Sequence, residues 1–224
     1  MKPISEVYNM DCLEYMKTIP DKFFDLCIAD PPYGIKRAGQ REVVCKKTKH
    51  NRKFFENKDW DKKRPDDLVF QEMFRVSKNQ IIWGANYFPE VLSSSMGWIV
   101  WDKGQHGLSM SDGELAFSSF QRALRVVVLN RGELAREGTI HPTQKPIKLY
   151  SWLLDNYAKT GDKIFDPFLG SGSIRIAAFK KGFDFYGCEL DREYFKASNE
   201  RFERECFGVQ KLPNGKTIIQ QNLF

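Results

Sequence analysis

Four consecutive residues, Asp30-Pro31-Pro32-Tyr33, bring together a carboxylate, two rigid rings and an aromatic side chain. They follow the apolar run Phe23-Phe24-Asp25-Leu26-Cys27-Ile28-Ala29, which predicts a buried strand. Proline lacks an N–H for the ladder and fixes its own φ, so the strand must stop there. The group is thereby left at a strand's C-terminal end, where open α/β sheets bind ligands. A carboxylate and a neighbouring carbonyl, that of Pro31, can accept the two N–H bonds of an exocyclic amine, and Tyr33 can stack on a flat ring. The arrangement suits chemistry on the amino group of a nucleobase.

A second group lies far downstream. Residues 163–173, Lys-Ile-Phe-Asp-Pro-Phe-Leu-Gly-Ser-Gly-Ser, read as a strand running into a Gly-rich turn and then a helix. Glycines allow a tight turn and close approach of a ligand to the N–H groups of a helix start. Residues 183–187 form a further apolar strand that ends in Cys188-Glu189. An acid at the end of the second strand of such a unit typically binds ribose hydroxyls. Strand, Gly turn, helix, strand and acid in that order predict an adenosine-bearing cofactor. The chain has no Gly-Lys-Ser/Thr phosphate loop, which argues against a nucleoside triphosphate.

Taken together, these motifs resemble the amino-group DNA methyltransferases that use S-adenosylmethionine, in the order of the circularly permuted beta group: Asp-Pro-Pro-Tyr first, Asp-Pro-Phe-Leu-Gly-Ser-Gly second. Asn9-Met10-Asp11-Cys12-Leu13 and His141-Pro142-Thr143-Gln144-Lys145-Pro146 extend the resemblance over residues 4–35 and 141–205, and Trp83-Gly84-Ala85-Asn86-Tyr87-Phe88 matches within the patchier middle. The resemblance implies Asp30, Pro31, Pro32 and Tyr33 as the catalytic tetrad acting on adenine N6 of a flipped-out base. It implies Phe168, Gly170, Ser171 and Gly172 along the methionine and ribose of the cofactor, Asp166 at its amino group and Glu189 at the ribose. Asp11 and Cys12 fall near the cofactor adenine, and Thr143 and Lys145 near the methionine carboxylate. Cytosine-N4 enzymes of the same family more often carry Ser before Pro-Pro-Tyr, so Asp30 favours adenine. RNA-base and protein-glutamine enzymes usually place the Gly loop first, against the order here. A DNA-binding module without turnover is the alternative of another class, and the intact tetrad and loop argue against it.

The elements that must position these groups follow from periodicity. Short strands are expected from residue 7, over 80–84 and over 98–101, with a hairpin over 114–120 and 123–129. Helices are expected over 11–16 with Asp11 near the N-cap, over 66–76, 146–157 and 173–181, and over 191–206 with Phe195, Phe202 and Cys206 inward. Alternating strands and helices predict a doubly wound, mainly parallel α/β sheet of the Rossmann-like methyltransferase type with an antiparallel edge. At 224 residues the chain is expected to be a single domain.

Charge is uneven. Residues 36–64 hold twelve Lys and Arg against four acids, a net of +8, whereas the whole chain is +6 and the remainder therefore about −2. Clustered cations next to the tetrad predict contact with double-stranded DNA. Residues 104–136, with Arg122, Arg125 and Arg131, are the second candidate recognition element. The length leaves no room for a separate large recognition domain, so specificity is expected to be short or supplied by a homodimer. Five scattered cysteines without a Cys-x-x-Cys pair read as free thiols in a reducing cytoplasm, and three dispersed histidines suggest no metal site. No uncharged apolar stretch is long enough to span a membrane, and the first residues lack the apolar core of a signal peptide. The last five residues resemble the Gln-x-x-Leu-Phe peptide with which many proteins bind the bacterial sliding clamp.

Overall fold

The computed structural model describes residues 2–35, 58, 61–107, 111–130, 132–211 and 217–219. Most of the basic segment, Arg131 and the clamp-like tail lie outside these residues. Among the described residues, ten strands and six helices follow one another: β1 (Ser5–Tyr8), α1 (Cys12–Lys17), β2 (Phe24–Ala29), α2 (Asp67–Val76), β3 (Ser77–Trp83), β4 (Ile99–Asp102), β5 (Gly113–Ser118), β6 (Arg125–Val128), α3 (Gly132–Glu137), α4 (Ile147–Tyr157), β7 (Lys163–Asp166), α5 (Ser173–Lys180), β8 (Asp184–Cys188), α6 (Arg192–Phe207), β9 (Val209–Lys211) and β10 (Thr217–Ile219).

Eight strands form one sheet in the order β1-β8-β7-β2-β3-β5-β4-β6, and β9 pairs with β10 separately. The five strands from β1 to β3 run parallel, β5 is antiparallel to both neighbours, and β6 is parallel to β4. The mixed, mainly parallel sheet is the one expected. β2 carries apolar residues on both faces because both are covered. Leu26 and Ile28 join a core with α4 and α5, while Cys27 and Ala29 join a second core with α1 and α2. Each such buried Leu, Ile or Phe contributes roughly 1.5–3 kcal/mol.

The centre of the sheet positions the site. β2 and β7 are adjacent, with Leu26 opposite Ile164 and Cys27 opposite Phe165. From β7 the chain moves outward to β8, and from β2 it moves the other way to β3. This is a topological switch point, and such a point leaves a crevice beyond the strands' carboxyl ends. β2 runs out into Asp30, and β7 into the Gly-rich loop.

Two expectations are corrected. The hairpin over 114–120 and 123–129 does not form. Both edges of β5 are taken, by β3 and β4, so β6 finds its free edge on β4. On α6 the fully enclosed residues are Tyr194, Ser198, Arg201 and Phe202, while Phe195 and Cys206 are only partly buried. α3 was not legible as a helix at all.

Candidate active site

Asp30 leaves β2 with both carboxylate oxygens engaged. Oδ1 accepts the Tyr33 hydroxyl at 2.7 Å, and Oδ2 lies 2.5 Å from the Lys145 ammonium. The Tyr33 ring stacks on Tyr87, centroids 4.9 Å apart and 15° from parallel. Gly84, at the end of β3, supplies the room: a Cβ there would lie 2.1 Å from Tyr33 Cε1, and its φ is +65°. Only glycine combines that backbone with that approach.

Lys145 precedes α4, and its side chain is 2% exposed. Besides Asp30 it meets Glu114 Oε2 at 3.1 Å and the Tyr33 hydroxyl at 3.5 Å. The other oxygen of Glu114 pairs with Lys103 at 2.8 Å. Alternating charges, Lys103, Glu114, Lys145 and Asp30, therefore run from the antiparallel part of the sheet to the tetrad. Burial pushes the Asp30 carboxyl above its ordinary value, with Lys145 opposing and Glu114 reinforcing the rise. Burial also works against ionised Glu114, yet the two ammonium groups beside it hold it down, to about 2. Lys145 is held above its usual value: desolvation opposes its charge, and the two carboxylates outweigh it.

One cavity of about 650 Å³ adjoins both motifs. Asp30, Pro31, Pro32 and Tyr33 line it on one side, and Asp11, Cys12, Thr143, Lys145, Phe168, Gly170, Ser171 and Glu189 line the rest. Asp166 and Gly172 are not on its wall. Asp166 is buried behind it, where Oδ1 accepts the Phe168 N–H at 2.9 Å. Burial drives its carboxyl up to about 8 against the pull of that N–H. Gly172 is the N-cap of α5, with φ +70°.

Several wall residues have structural duties as well. Asp11 caps α1, its Oδ1 accepting from the N–H groups of Leu13 and Glu14 at 2.8 and 3.2 Å. Glu189 Oε2 accepts from Gly170 N–H at 2.8 Å and Oε1 from Asp191 N–H at 2.8 Å, so the acid tethers the Gly loop to the start of α6. His141 packs edge-on against Tyr194 at 4.4 Å, and its Nδ1 faces the Thr143 hydroxyl at 3.1 Å. Burial and then Lys145 push this imidazole down to about 3, leaving it neutral as a packing residue. Beneath the loop, fully buried Arg201 donates to the Ser171 carbonyl at 2.9 Å and the Ser173 hydroxyl at 2.8 Å and pairs with Glu137 at 2.8 Å.

Glu114, Lys103, Tyr87 and Arg201 were missed by sequence reasoning. Glu114 and Lys103 sit on no recognisable motif, and only the β4–β5 pairing brings them to the tetrad. Tyr87 was inside a matched segment and could have been found there. Of the candidate recognition arginines, Arg122 donates to the Asn156 carbonyl and lies over Tyr157, while Arg125 is exposed. Among the described residues no group of side chains suits a metal ion, and no helix is long and apolar enough to cross a membrane.

Fold and cavity define an α/β protein with one cavity shared by two motifs: Phe168, Leu190, Glu189 and the Gly turn line one side, and the Asp30 carboxylate lines the other. A family described as DNA methylase, of the N6/N4 type, matches residues 99–200. The type II methyltransferase M2.DpnII of Streptococcus pneumoniae is 42% identical over 65 residues, 29% of this chain, and that match spans 24% of the relative's length. A protein of Escherichia coli (strain K12) named "Putative methylase YubD" is 26% identical over 88% of this chain and 90% of its own. Among solved structures, the M1.HpyAVI–SAM complex has a TM-score of 0.58 at 19% identity, covering 88% of this chain and 98% of that one. The cytosine-N4-specific PvuII DNA methyltransferase has a TM-score of 0.56 at 15% identity, covering 96% and 95%. The two structures share the fold. The family match, over somewhat less than half of the chain, and the relatives make it similar to amino-group DNA methyltransferases.

Proposed function

We propose that this chain transfers a methyl group from S-adenosylmethionine to the N6 amino group of an adenine flipped out of double-stranded DNA. The observation that carries the reading is the placement of Asp30 and the Gly-rich loop on adjacent parallel strands, opening into one cavity. The cofactor supplies an electrophilic methyl on a sulfonium. Phe168, Gly170 and Ser171 line its methionine and ribose side, with Asp11 and Cys12 at its adenine, Glu189 at the ribose and Thr143 nearby. Asp166 acts from behind Phe168. Lys145 is committed to Asp30 and Glu114 in this structure, so its assignment shifts from the methionine carboxylate to the amine side of the cavity.

Asp30 and the Pro31 carbonyl accept the two N–H bonds of the target amine. That turns the nitrogen lone pair out of the ring plane and toward the methyl. Positioning of this kind supplies much of the rate, and no covalent enzyme intermediate is needed. The proton lost afterwards goes to Asp30 or to water. Tyr33, held by Tyr87 and Gly84, gives the base a rigid aromatic wall. A base inside a duplex cannot reach this cavity, so flipping is part of the reading.

Asp rather than Ser before Pro-Pro-Tyr favours adenine. Cytosine N4 is the second reading, favoured by the shared fold with a cytosine-N4-specific enzyme. Single-molecule sequencing of DNA from a methylation-deficient bacterial host expressing the chain separates the two. N6-methyladenine at a defined motif, absent with Asp30→Ala, is the expected result. N4-methylcytosine in its place selects the second reading. No modification from folded protein removes both.

A further inference from the structure

Resting on that reading, the geometry points to Glu114, held by Lys103, as a positioning residue for methyl transfer: it keeps Lys145 in place beside Asp30 while Asp30 takes a proton from the methylated amine. An ammonium has three N–H bonds. Lys145 has three oxygen acceptors within reach, Asp30 Oδ2 at 2.5 Å, Glu114 Oε2 at 3.1 Å and the Tyr33 hydroxyl at 3.5 Å, and its side chain is almost wholly enclosed. It is pinned, with little access to water.

When the amine nitrogen gains a methyl it becomes cationic and must lose a proton. The N–H bond breaks, an O–H bond forms on Asp30, and Asp30 later passes that proton to water. While Asp30 is neutral, a Lys145 facing Asp30 alone would be a buried cation without a counter-ion, and such a group moves or gives up its proton. Glu114 removes that difficulty, because one carboxylate stays ionised throughout. Lys103 keeps it so: its ammonium is 2.8 Å from Glu114 Oε1, and its side chain is 9% exposed. Tyr33 from the tetrad loop, Tyr150 of α4 and Asp166 of β7 are the other titratable groups facing Asp30, and His141 faces Lys145. None of these is a second anion ion-paired with Lys145, as Glu114 is. The antiparallel part of the sheet, whose β4 and β5 bring Lys103 and Glu114 to the cavity, is thus coupled to the chemistry at β2.

Steady-state methylation of unmethylated DNA, followed against pH for the full chain, tests the idea. Glu114→Gln keeps shape and removes charge. Its kcat is expected to fall about 10–100-fold, by analogy with the loss of partners that orient metal ligands, with KM for DNA and cofactor nearly unchanged. The acid limb of the kcat profile should move to lower pH, because an anion that disfavours ionised Asp30 is gone. Glu114→Asp should restore part of kcat. Lys103→Met leaves Glu114 with one counter-ion, so its deficit should deepen as pH falls, and it carries the test if Glu114→Gln does not fold. A Glu114→Gln enzyme with unchanged kcat and acid limb overturns the inference. A folded wild type that methylates no DNA instead removes the reading on which it rests.

Discussion

Gly84 and Asp166 show how single residues hold this site in a defined state. Gly84 lies against the Tyr33 ring where any Cβ would collide with it. Gly84→Ala should cost about 1–3 kcal/mol from its positive φ alone, and it should also displace Tyr33 from Asp30. The expected signature is a loss of methylation rate larger than the loss of stability in denaturant explains. Asp166 has a different lesson. Its carboxyl is raised in the folded protein, to about 8, from an ordinary value of 3.8. The folded state therefore binds more protons than the unfolded one, and the contribution of this group to stability falls as pH rises from about 4 to about 8. Asp166→Asn, neutral at every pH, should lack that decline. Melting curves of both proteins across this window should diverge in favour of the variant as pH rises, and parallel curves would contradict the assignment.

At the scale of elements, two helices carry duties that stability and binding measurements can separate. α1 has only six residues and depends on its cap and its packing. Asp11→Ala should cost roughly 1 kcal/mol through the lost N-cap. Asp11→Ser restores a capping oxygen without the charge. If Asp11 also meets the cofactor, Asp11→Ser should recover stability and still bind S-adenosylmethionine more weakly by calorimetry; full recovery of both would confine Asp11 to capping. α6 supports the Gly-rich loop from beneath through Arg201. Arg201→Met removes the donors to Ser171 and Ser173 and the cation facing Glu137. Breaking a buried pair of this kind costs about 3–5 kcal/mol. Cofactor affinity should drop with it, since the loop loses its inner brace.

At the scale of the whole molecule, a ligand that binds only the folded chain must raise its melting point by mass action. S-adenosylmethionine at 100 times its Kd should add about 2.7 kcal/mol, whereas ATP, for which the chain has no phosphate loop, should add none; a thermal shift assay reads both. The local parts of this design were legible from the residues alone. An apolar run stopped by two prolines announces a strand end with Asp30 and Tyr33 on it, and a Gly-rich stretch between strand and helix announces a tight turn at a helix start, because both signals are written in consecutive residues. Alternation of strands and helices implied the mainly parallel sheet, and the order of the two motifs implied, by resemblance, its permutation. The partners of the Asp30 carboxylate were not legible. Lys145 was placed at the cofactor but meets Asp30, Glu114 and Lys103 carried no motif, and the expected hairpin gave way to a β6 strand on β4. Those outcomes depend on which strand edges remain free once the sheet assembles and on how buried charges find counter-ions across it. Sequence by itself determined the two strand-end motifs and the order of most of their supporting elements; tertiary structure alone decided their electrostatic neighbours, because charges far apart in the chain are brought together only by the register of the folded sheet.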